Sequence, residues 1–308
     1  MAKIGLIDVD GHNYPNLPLM KLSAYHKAQG DEVEWYQPLW GGYCDIVYMS
    51  KVFSFTPDYP YPINAGEVIK GGSGYAISLE DGKEVYHKEM DVDLADEIEH
   101  IYPDYSLYPK MTENHSFGFL TKGCPRGCDF CHVASKEGRC SYKVADLDEF
   151  WKGQKEIELL DPNILACRDH KDLLQQLIDS KARVEFNQGV DVRLITDSNL
   201  KLLKQIKLKS VHFAFDRWQD KDIVEPKLQM VSEETDWSRS KVSVYILTNF
   251  DTTIEQDLYR IELCRRLNFQ PYVMIYDKAH CDPIYRKLQR YCNPYIFWSI
   301  KSFKEYTR

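Results

Sequence analysis

Residues 117–132 read FGFLTKGCPRGCDFCH, with three cysteines shortly after an apolar stretch. The apolar stretch, Phe117–Thr121, predicts a β-strand. The cysteines that follow it, Cys124, Cys128 and Cys131, have the spacing Cys-x3-Cys-x2-Cys. The glycines and the proline around them favour a tight turn, in which the backbone can close around a bound group. The sequence therefore predicts a metal-binding loop at the carboxyl end of a strand.

The number of cysteines in this loop bears on the kind of metal centre. Three thiolates within eight residues can hold one iron–sulfur cluster. With three ligands for four irons, one iron keeps an open coordination position, as catalytic zinc sites do. A structural zinc site is the alternative, but zinc prefers four tetrahedral ligands. His132 is the candidate fourth ligand, and it directly follows Cys131, so that a tetrahedral clamp would be strained.

The loop, with the aromatic Phe130 before its last cysteine, resembles the signature of the radical S-adenosylmethionine superfamily. The resemblance implies that Cys124, Cys128 and Cys131 bind a [4Fe–4S] cluster, whose open iron chelates the methionine end of S-adenosylmethionine. It also implies a reductant such as flavodoxin or ferredoxin. One electron then splits the sulfonium into methionine and a 5′-deoxyadenosyl radical, which abstracts hydrogen from a substrate. The resemblance places Phe130 beside the cofactor.

From Phe117 onward, six strand candidates alternate with helix candidates. The predicted strands are Phe117–Thr121, Asn163–Ala166, Val184–Asn187, Ser210–Asp216, Val242–Thr248 and Pro271–Asp277. The predicted helices are Leu147–Glu156, Lys171–Lys181, Asp197–Gln205, Lys221–Glu234, Ile254–Leu267 and Pro283–Tyr291. The alternation predicts an α/β fold in which residues 117–308 form a partial (β/α)6 barrel, with functional side chains at the carboxyl ends of the strands.

Two polar residues follow the predicted helix 147–156, and the second of them begins the second predicted strand. In the family a Gly-Gly-Glu-like turn usually follows the second strand and contacts the amine of the cosubstrate methionine. This chain has Leu160-Asp161-Pro162-Asn163 in its place, where Asp161 and Asn163 offer acceptors for an ammonium group. The alternative is a loop that closes a helix, because Asp, Pro and Asn are turn residues in any case.

Further cofactor contacts are predicted at the next two strand ends. Gln188, Asp191 and Arg193 give the third unit more polar groups than a core strand can bury, and Arg193 suits a carboxylate of cosubstrate or substrate. A structural Asp191–Arg193 pair is the alternative. Asp216 ends the fourth strand, where the family tends to bind ribose hydroxyls, and a helix cap is its alternative role.

The first 98 residues read as a small Rossmann-like parallel sheet, and residues 99–116 as a linker. Strand candidates alternate with one helix candidate, but the links 37–43 and 56–65 are too short or too proline-rich for crossover helices. This section resembles the cobalamin-binding domain of a large branch of the superfamily. His12 lies where many cobalamin proteins have a cobalt ligand, but Pro15 stands where that pattern needs glycine. A cobalamin-dependent radical methyltransferase is thus the second function considered.

Composition restricts the partners and the compartment. The net charge of −8 argues against a protein that holds duplex nucleic acid through phosphate contacts, and favours a small-molecule or peptide-like substrate. No apolar run reaches the roughly 18–20 residues that span a bilayer, and no secretion signal begins the chain, so we expect a cytoplasmic protein without a membrane partner.

The cysteine count is odd, at nine, which does not suggest a disulfide framework. The six cysteines outside the loop have no metal-ligand spacing, and most are expected to be buried thiols, with a second cluster as the alternative. A non-catalytic iron–sulfur protein that senses iron or binds a partner is the third function considered.

Overall fold

The computed structural model describes residues 1–80 and 83–307 and divides into two compact units. The first unit contains Met1–Gly118, Pro125–Arg139 and Ala145–Glu156. The second contains Phe119–Cys124, Cys140–Val144 and the described chain from Ile157 onward. The division by contacts therefore differs from the expected boundaries at residues 98 and 117.

Strands and helices alternate along most of the chain. The strands are β1 (Lys3–Asp8), β2 (Glu32–Trp35), β3 (Cys44–Ser50), β4 (Ala65–Gly71), β5 (Ile77–Glu80), β6 (Lys83–Tyr86), β7 (His115–Gly118), β8 (Thr121–Lys122), β9 (Tyr142–Lys143), β10 (Glu156–Leu159), β11 (Arg183–Phe186), β12 (Leu208–Ala214), β13 (Val242–Thr248) and β14 (Gln270–Ile275). The helices are α1 (Leu17–Ala28), α2 (Ser73–Ala76), α3 (Asp96–Glu99), α4 (Pro109–Thr112), α5 (Val133–Glu137), α6 (His170–Ser180), α7 (Asp197–Leu203), α8 (Lys221–Glu234), α9 (Ile254–Arg266) and α10 (Pro283–Cys292).

Two parallel sheets, one of four strands and one of six, confirm the α/β class. The four-stranded sheet has the order β2-β1-β3-β4, and its pairs are parallel. The sequence Leu79–Glu84, in which Asp-Gly separates two short runs, predicts a hairpin, and strands β5 and β6 form an antiparallel pair. The Asp81-Gly82 turn of that hairpin lies outside the described residues.

The core of the first unit lies on both faces of β1. On one face, Ile4 and Leu6 pack with Leu19 and Leu22 of α1. This helix begins at an N-cap, Asn16, whose side chain accepts a hydrogen bond from the backbone N–H of Leu19 at 3.2 Å. The cap therefore fixes where the helix begins, and its apolar side chains pack it onto this face of the sheet.

On the other face, a core of Ile7, Val47 and Met49 is covered by Tyr59 and Ile63. Both covering residues belong to the proline-rich link 56–65, which takes the place of a crossover helix. A loop thus covers the face that the short connections leave without a helix.

The expected linker also packs onto the first unit. The hydroxyl of Ser23 donates to the carboxylate of Asp104 at 2.7 Å, and Lys27 Nζ contacts the same carboxylate at 2.6 Å. Tyr108 donates to Asp8 at 2.7 Å, so residues 104–108 are anchored to both α1 and β1. These hydrogen bonds explain why residues 99–116 belong to this unit rather than forming a free connection.

In the second unit, five strands of the larger sheet have the order β14-β13-β12-β11-β10, and β11 to β14 pair in parallel. Each of β10 to β13 is followed by a helix among α6 to α9, and α10 follows β14. On β11, β12 and β13, Phe186, Phe213 and Val244 are buried. The residue before each of them in sequence points to the opposite face of the sheet and is partly exposed. Five β/α units in series, from β10 to α10, are therefore present. Closure into a partial barrel of six units stays a prediction.

The predicted strand Phe117–Thr121 is divided between β7 (His115–Gly118) and β8 (Thr121–Lys122). A second predicted stretch is wrong altogether. Residues 147–156, predicted as a helix, contain a 3-10 turn at Leu147–Glu149 and the beginning of strand β10. The predicted strand Asn163–Ala166 is instead a 3-10 turn at Ile164–Ala166. The reason is the alternation Glu156-Ile157-Glu158-Leu159, which buries every second side chain and suits a strand.

Across the described ranges, no helix combines the length and the apolar character needed to cross a bilayer.

Candidate functional site

The amino-terminal part of the cysteine loop is shaped by a short strand and a glycine. Strand β8 pairs antiparallel with β9, with Thr121 opposite Lys143 and Lys122 opposite Tyr142. Gly123 follows with φ of +80°, a conformation that side chains other than glycine rarely adopt, and Cys124 comes next. The strand therefore ends in a sharp change of direction immediately before the first cysteine, which is half-buried.

The carboxyl-terminal part of the loop is a second turn. The backbone N–H of Cys131 donates to the carbonyl of Cys128 at 3.0 Å, and Gly127 has φ of +58°. Cys128 is half-buried and Cys131 exposed, so their thiols are accessible to a ligand. Phe130, which the resemblance places beside the cofactor, is half-buried in this turn.

Among residues 1–80 and 83–307, no three His, Cys, Asp or Glu side chains converge as a group for a single metal ion. In an iron–sulfur cluster the cysteines bind different irons, so their sulfurs stand farther apart than the ligands of one ion. The number and type of donors and the accessibility of the thiols fit a cluster. The predicted set Cys124, Cys128 and Cys131 stays a prediction.

Asp161 anchors the strand that leads into the loop. Its buried carboxylate accepts from the backbone N–H of Leu120 at 3.1 Å, and from the N–H and hydroxyl of Thr121 at 2.5 and 2.6 Å. Burial raises the pKa of Asp161 to about 6, although these hydrogen bonds oppose the rise. Both oxygens therefore have partners within the second unit, and the predicted contact of Asp161 with the cosubstrate amine stays a prediction.

Asn163 differs from Asp161 in having one oxygen without a partner. Its side chain is buried, and Nδ2 lies 3.4 Å from Cys124 Sγ and 3.4 Å from Asp191 Oδ2. Its Oδ1 has no hydrogen-bond partner within the described structure. A buried acceptor without a donor is costly, by about 1–3 kcal/mol, and therefore marks a position where a ligand can bind.

Arg193 is held by two carboxylates. Its Nε lies 2.7 Å from Asp191 Oδ1 and its Nη2 3.2 Å from Asp191 Oδ2, while its Nη1 lies 2.6 Å from Asp220. Asp191 also accepts from the backbone N–H of Arg193 at 3.1 Å. The structural pair considered as an alternative is thus present, and the predicted ligand contact of Arg193 stays a prediction. Gln188, by contrast, is exposed.

Asp216 binds the neighbouring strand. Its Oδ1 accepts from the backbone N–H of Leu247 at 2.9 Å, so the carboxylate caps β13 and not the helix considered as an alternative. Burial raises the pKa of Asp216 to about 6. The predicted contact of Asp216 with a ribose stays a prediction.

Sequence reasoning missed a buried arginine behind these strand ends. Arg260 is fully buried and donates to the carbonyls of Phe215 and Asp216 at 2.5 and 2.8 Å, and to the carbonyl of Leu247 at 2.8 Å. It also pairs with Asp257 on its own helix. The charged residue in an otherwise ordinary amphipathic helix gave no local signal of this role.

A polar face of the larger sheet was also missed. Glu185 lies 3.0 Å from Lys209 Nζ, and His212 lies 2.5 Å from Ser243 and stacks on Tyr245 with ring centroids 5.0 Å apart. Hydrogen bonding from His212, helped by Lys209, lowers the pKa of Glu185 to about 2. The signal in the sequence was polar residues at every second position of β11 to β13, on the face opposite the buried one.

The residues of the first unit do not fit a bound cobalamin. The His12 ring packs edge-on against Trp35, with centroids 4.2 Å apart. Asp10 accepts from the backbone N–H of Val52 at 2.5 Å and from the hydroxyl of Thr56 at 2.6 Å, which ties the loops after β1 and β3 together. These contacts occupy the carboxyl edge of the sheet where a cofactor would lie. We derive no step through cobalamin.

The remaining six cysteines are free thiols, and four of them, Cys44, Cys167, Cys264 and Cys292, are buried as expected. Cys281 is half-buried and Cys140 exposed.

Comparison with protein-family profiles and with curated proteins gives no match to this chain.

Proposed function

We propose that this protein is a radical S-adenosylmethionine enzyme, which binds a [4Fe–4S] cluster through Cys124, Cys128 and Cys131. The loop spacing supports this proposal first. The main support in the structure comes from Asn163. Its Nδ2 contacts Cys124 Sγ, and its buried Oδ1 has no hydrogen-bond partner in the described structure. One side of Asn163 thus contacts a sulfur that can bind iron, and the other side presents a free hydrogen-bond acceptor. A site for a cluster and an amine-bearing cosubstrate requires both.

The residues of the second unit have distinct roles in this proposal. Asp161 positions the strand before Cys124, and Asn163 Oδ1 accepts a hydrogen bond from the ammonium group of the cosubstrate. Asp191 and Arg193 hold the amide of Asn163 in place. Held by Cys124, Cys128 and Cys131, a cluster would supply the electron for reductive cleavage of S-adenosylmethionine to methionine and the 5′-deoxyadenosyl radical.

The substrate is proposed to be a small molecule or a peptide-like compound that loses a hydrogen atom to that radical. Flavodoxin or ferredoxin is the class of reductant that supplies the electron in the cytoplasm. The charge of −8 supports a substrate other than duplex nucleic acid.

Anaerobic reconstitution followed by electron paramagnetic resonance tests this proposal. The reduced protein is expected to give a cluster signal that changes when S-adenosylmethionine is added, because the cosubstrate binds the open iron. The triple variant Cys124→Ala, Cys128→Ala, Cys131→Ala is expected to lose the signal, whereas Cys281→Ala, outside the loop, is expected to keep it. A signal that does not change when S-adenosylmethionine is added would instead support a non-catalytic cluster protein that senses iron or binds a partner.

A further inference from the structure

We propose that Asn163 is a positioning residue that sets the reduction potential of the cluster through a hydrogen bond from Nδ2 to Cys124 Sγ. This inference rests on the proposed function, since it requires a cluster bound at Cys124.

The contact is direct and shielded from water. Nδ2 of Asn163 lies 3.4 Å from the sulfur, a hydrogen-bonding distance for a sulfur acceptor. The residue is only 2% exposed, so bulk water does not compete for its amide. In such surroundings a hydrogen bond is electrostatically stronger than in water.

The orientation of the amide is fixed by the groups around it. An ionised carboxylate only accepts hydrogen bonds, so Asp191 Oδ2, 3.4 Å away, must face the amide nitrogen and not the oxygen. Asp191 is itself held by the guanidinium of Arg193, which also binds Asp220. The hydroxyl of Ser141 donates to the backbone carbonyl of Asn163 at 2.9 Å. The two amide hydrogens are therefore directed at Asp191 and at the sulfur.

The consequence for the cluster follows from charge. Reduction adds one negative charge, part of which is carried by the cysteine sulfurs. A donor aimed at a sulfur stabilises the reduced form more than the oxidised form, and hydrogen bonds to the sulfurs are among the determinants of cluster potentials. The amide of Asn163 thus raises the reduction potential and makes the cluster easier to reduce by a cellular donor.

A redox titration of the reconstituted protein, without S-adenosylmethionine and followed by electron paramagnetic resonance, tests this inference. Asn163→Leu removes the donor at similar volume. It is expected to shift the one-electron equilibrium about tenfold toward the oxidised cluster, as one hydrogen bond of ordinary strength gives. A tenfold change for one electron is about 59 mV. The matched control is Asn187→Leu, whose amide donates to Glu158 at 2.6 Å.

Resonance Raman spectra give a readout that a merely structural role would not move. Loss of the hydrogen bond is expected to raise an iron–cysteine stretching frequency in Asn163→Leu and to leave it unchanged in Asn187→Leu. If Asn163→Leu does not hold a cluster, Asn163→Ser removes the same amide with a smaller side chain, and the same shifts are expected.

The two proposals fail in different ways. A wild-type protein that binds no cluster overturns both. A wild-type protein with a cluster, whose potential and iron–cysteine frequency are unchanged in the Asn163 variants, overturns only this inference.

Discussion

The carboxylate of Asp161 holds Thr121 twice, by the backbone N–H at 2.5 Å and by the side-chain hydroxyl at 2.6 Å. Both residues are buried, and Thr121 stands three positions before Cys124. One acidic side chain therefore fixes the direction in which the chain enters the cysteine loop. The side chain of Asp161 therefore serves the conformation of the loop itself.

Replacing Asp161 tests this anchoring. Asp161→Asn puts an amide nitrogen in the place of one carboxylate oxygen. This buried N–H donor then faces a backbone N–H of Leu120 or Thr121, which is also a donor. The free energy of unfolding is expected to fall by about 1–3 kcal/mol, and the iron bound per chain after reconstitution is expected to fall with it. Urea unfolding and iron analysis measure the two effects. Asp172→Asn, at an exposed position of α6, is the control, with a change within about 0.5 kcal/mol.

Exposed and buried cysteines are expected to respond in opposite ways to serine. Cys131→Ser should change the free energy of unfolding of the metal-free protein by less than about 0.5 kcal/mol, because the side chain is exposed. It should nevertheless reduce iron binding. Cys264→Ser places a hydroxyl in a site that is 1% exposed and should cost about 1–3 kcal/mol, while iron binding is kept. Equal loss of iron in both variants would mean that folding, and not ligation, controls metal content.

Arg260 is expected to be the most sensitive buried charge in the second unit. Arg260→Met leaves three carbonyls without their donor and Asp257 without its cation, and breaking such a buried pair costs about 3–5 kcal/mol. Urea unfolding measures the loss. Arg266→Gln, which removes a half-exposed partner of Glu225, should stay within about 1 kcal/mol of the wild type. A cost for Arg260→Met no larger than that of the control would show that the carbonyls find other donors.

The pH dependence of stability should contain a contribution from Asp8. Burial raises the pKa of Asp8 from 3.8 to about 6, and the hydrogen bond from Tyr108 opposes the rise. Because the folded protein holds this proton more tightly, the stabilising contribution is fully present below about pH 4. It is lost as the pH rises through about 6, and amounts to at most about 3 kcal/mol.

Asp8→Asn should remove this contribution, since the amide oxygen still accepts from Tyr108 and does not titrate. The variant is expected to gain stability relative to the wild type as the pH rises from about 4 to about 7. Unfolding curves across that range measure the difference. A constant difference at every pH would show that the pKa of Asp8 is the same in the folded and unfolded chain.

Local patterns were enough to predict many of the elements. The bounds predicted for α8 and β13, Lys221–Glu234 and Val242–Thr248, agree with the structure, because their apolar residues recur at clear helical and strand periods. The prediction failed between 147 and 166, where short 3-10 turns flank a four-residue strand. Such short segments carry too few periods to distinguish a strand from a helix.

The site was harder to predict because its contacts join distant parts of the sequence. Asp216 was expected to contact a ribose, with a helix cap as the alternative, and its observed partner is the N–H of Leu247, thirty-one positions away. The buried role of Arg260 depends on carbonyls of two different strand ends, which no local motif marks. The cysteine spacing, by contrast, lies within one loop and was visible directly.

Release of 5′-deoxyadenosine is the most direct measure of radical formation by this protein. The reconstituted protein is incubated anaerobically with S-adenosylmethionine and dithionite, and the products are quantified by chromatography. We expect 5′-deoxyadenosine and methionine in equal amounts from the wild type and from Cys281→Ala, and none from the triple variant at Cys124, Cys128 and Cys131. A fully loaded and reduced wild type that releases no more 5′-deoxyadenosine than the triple variant would contradict this expectation.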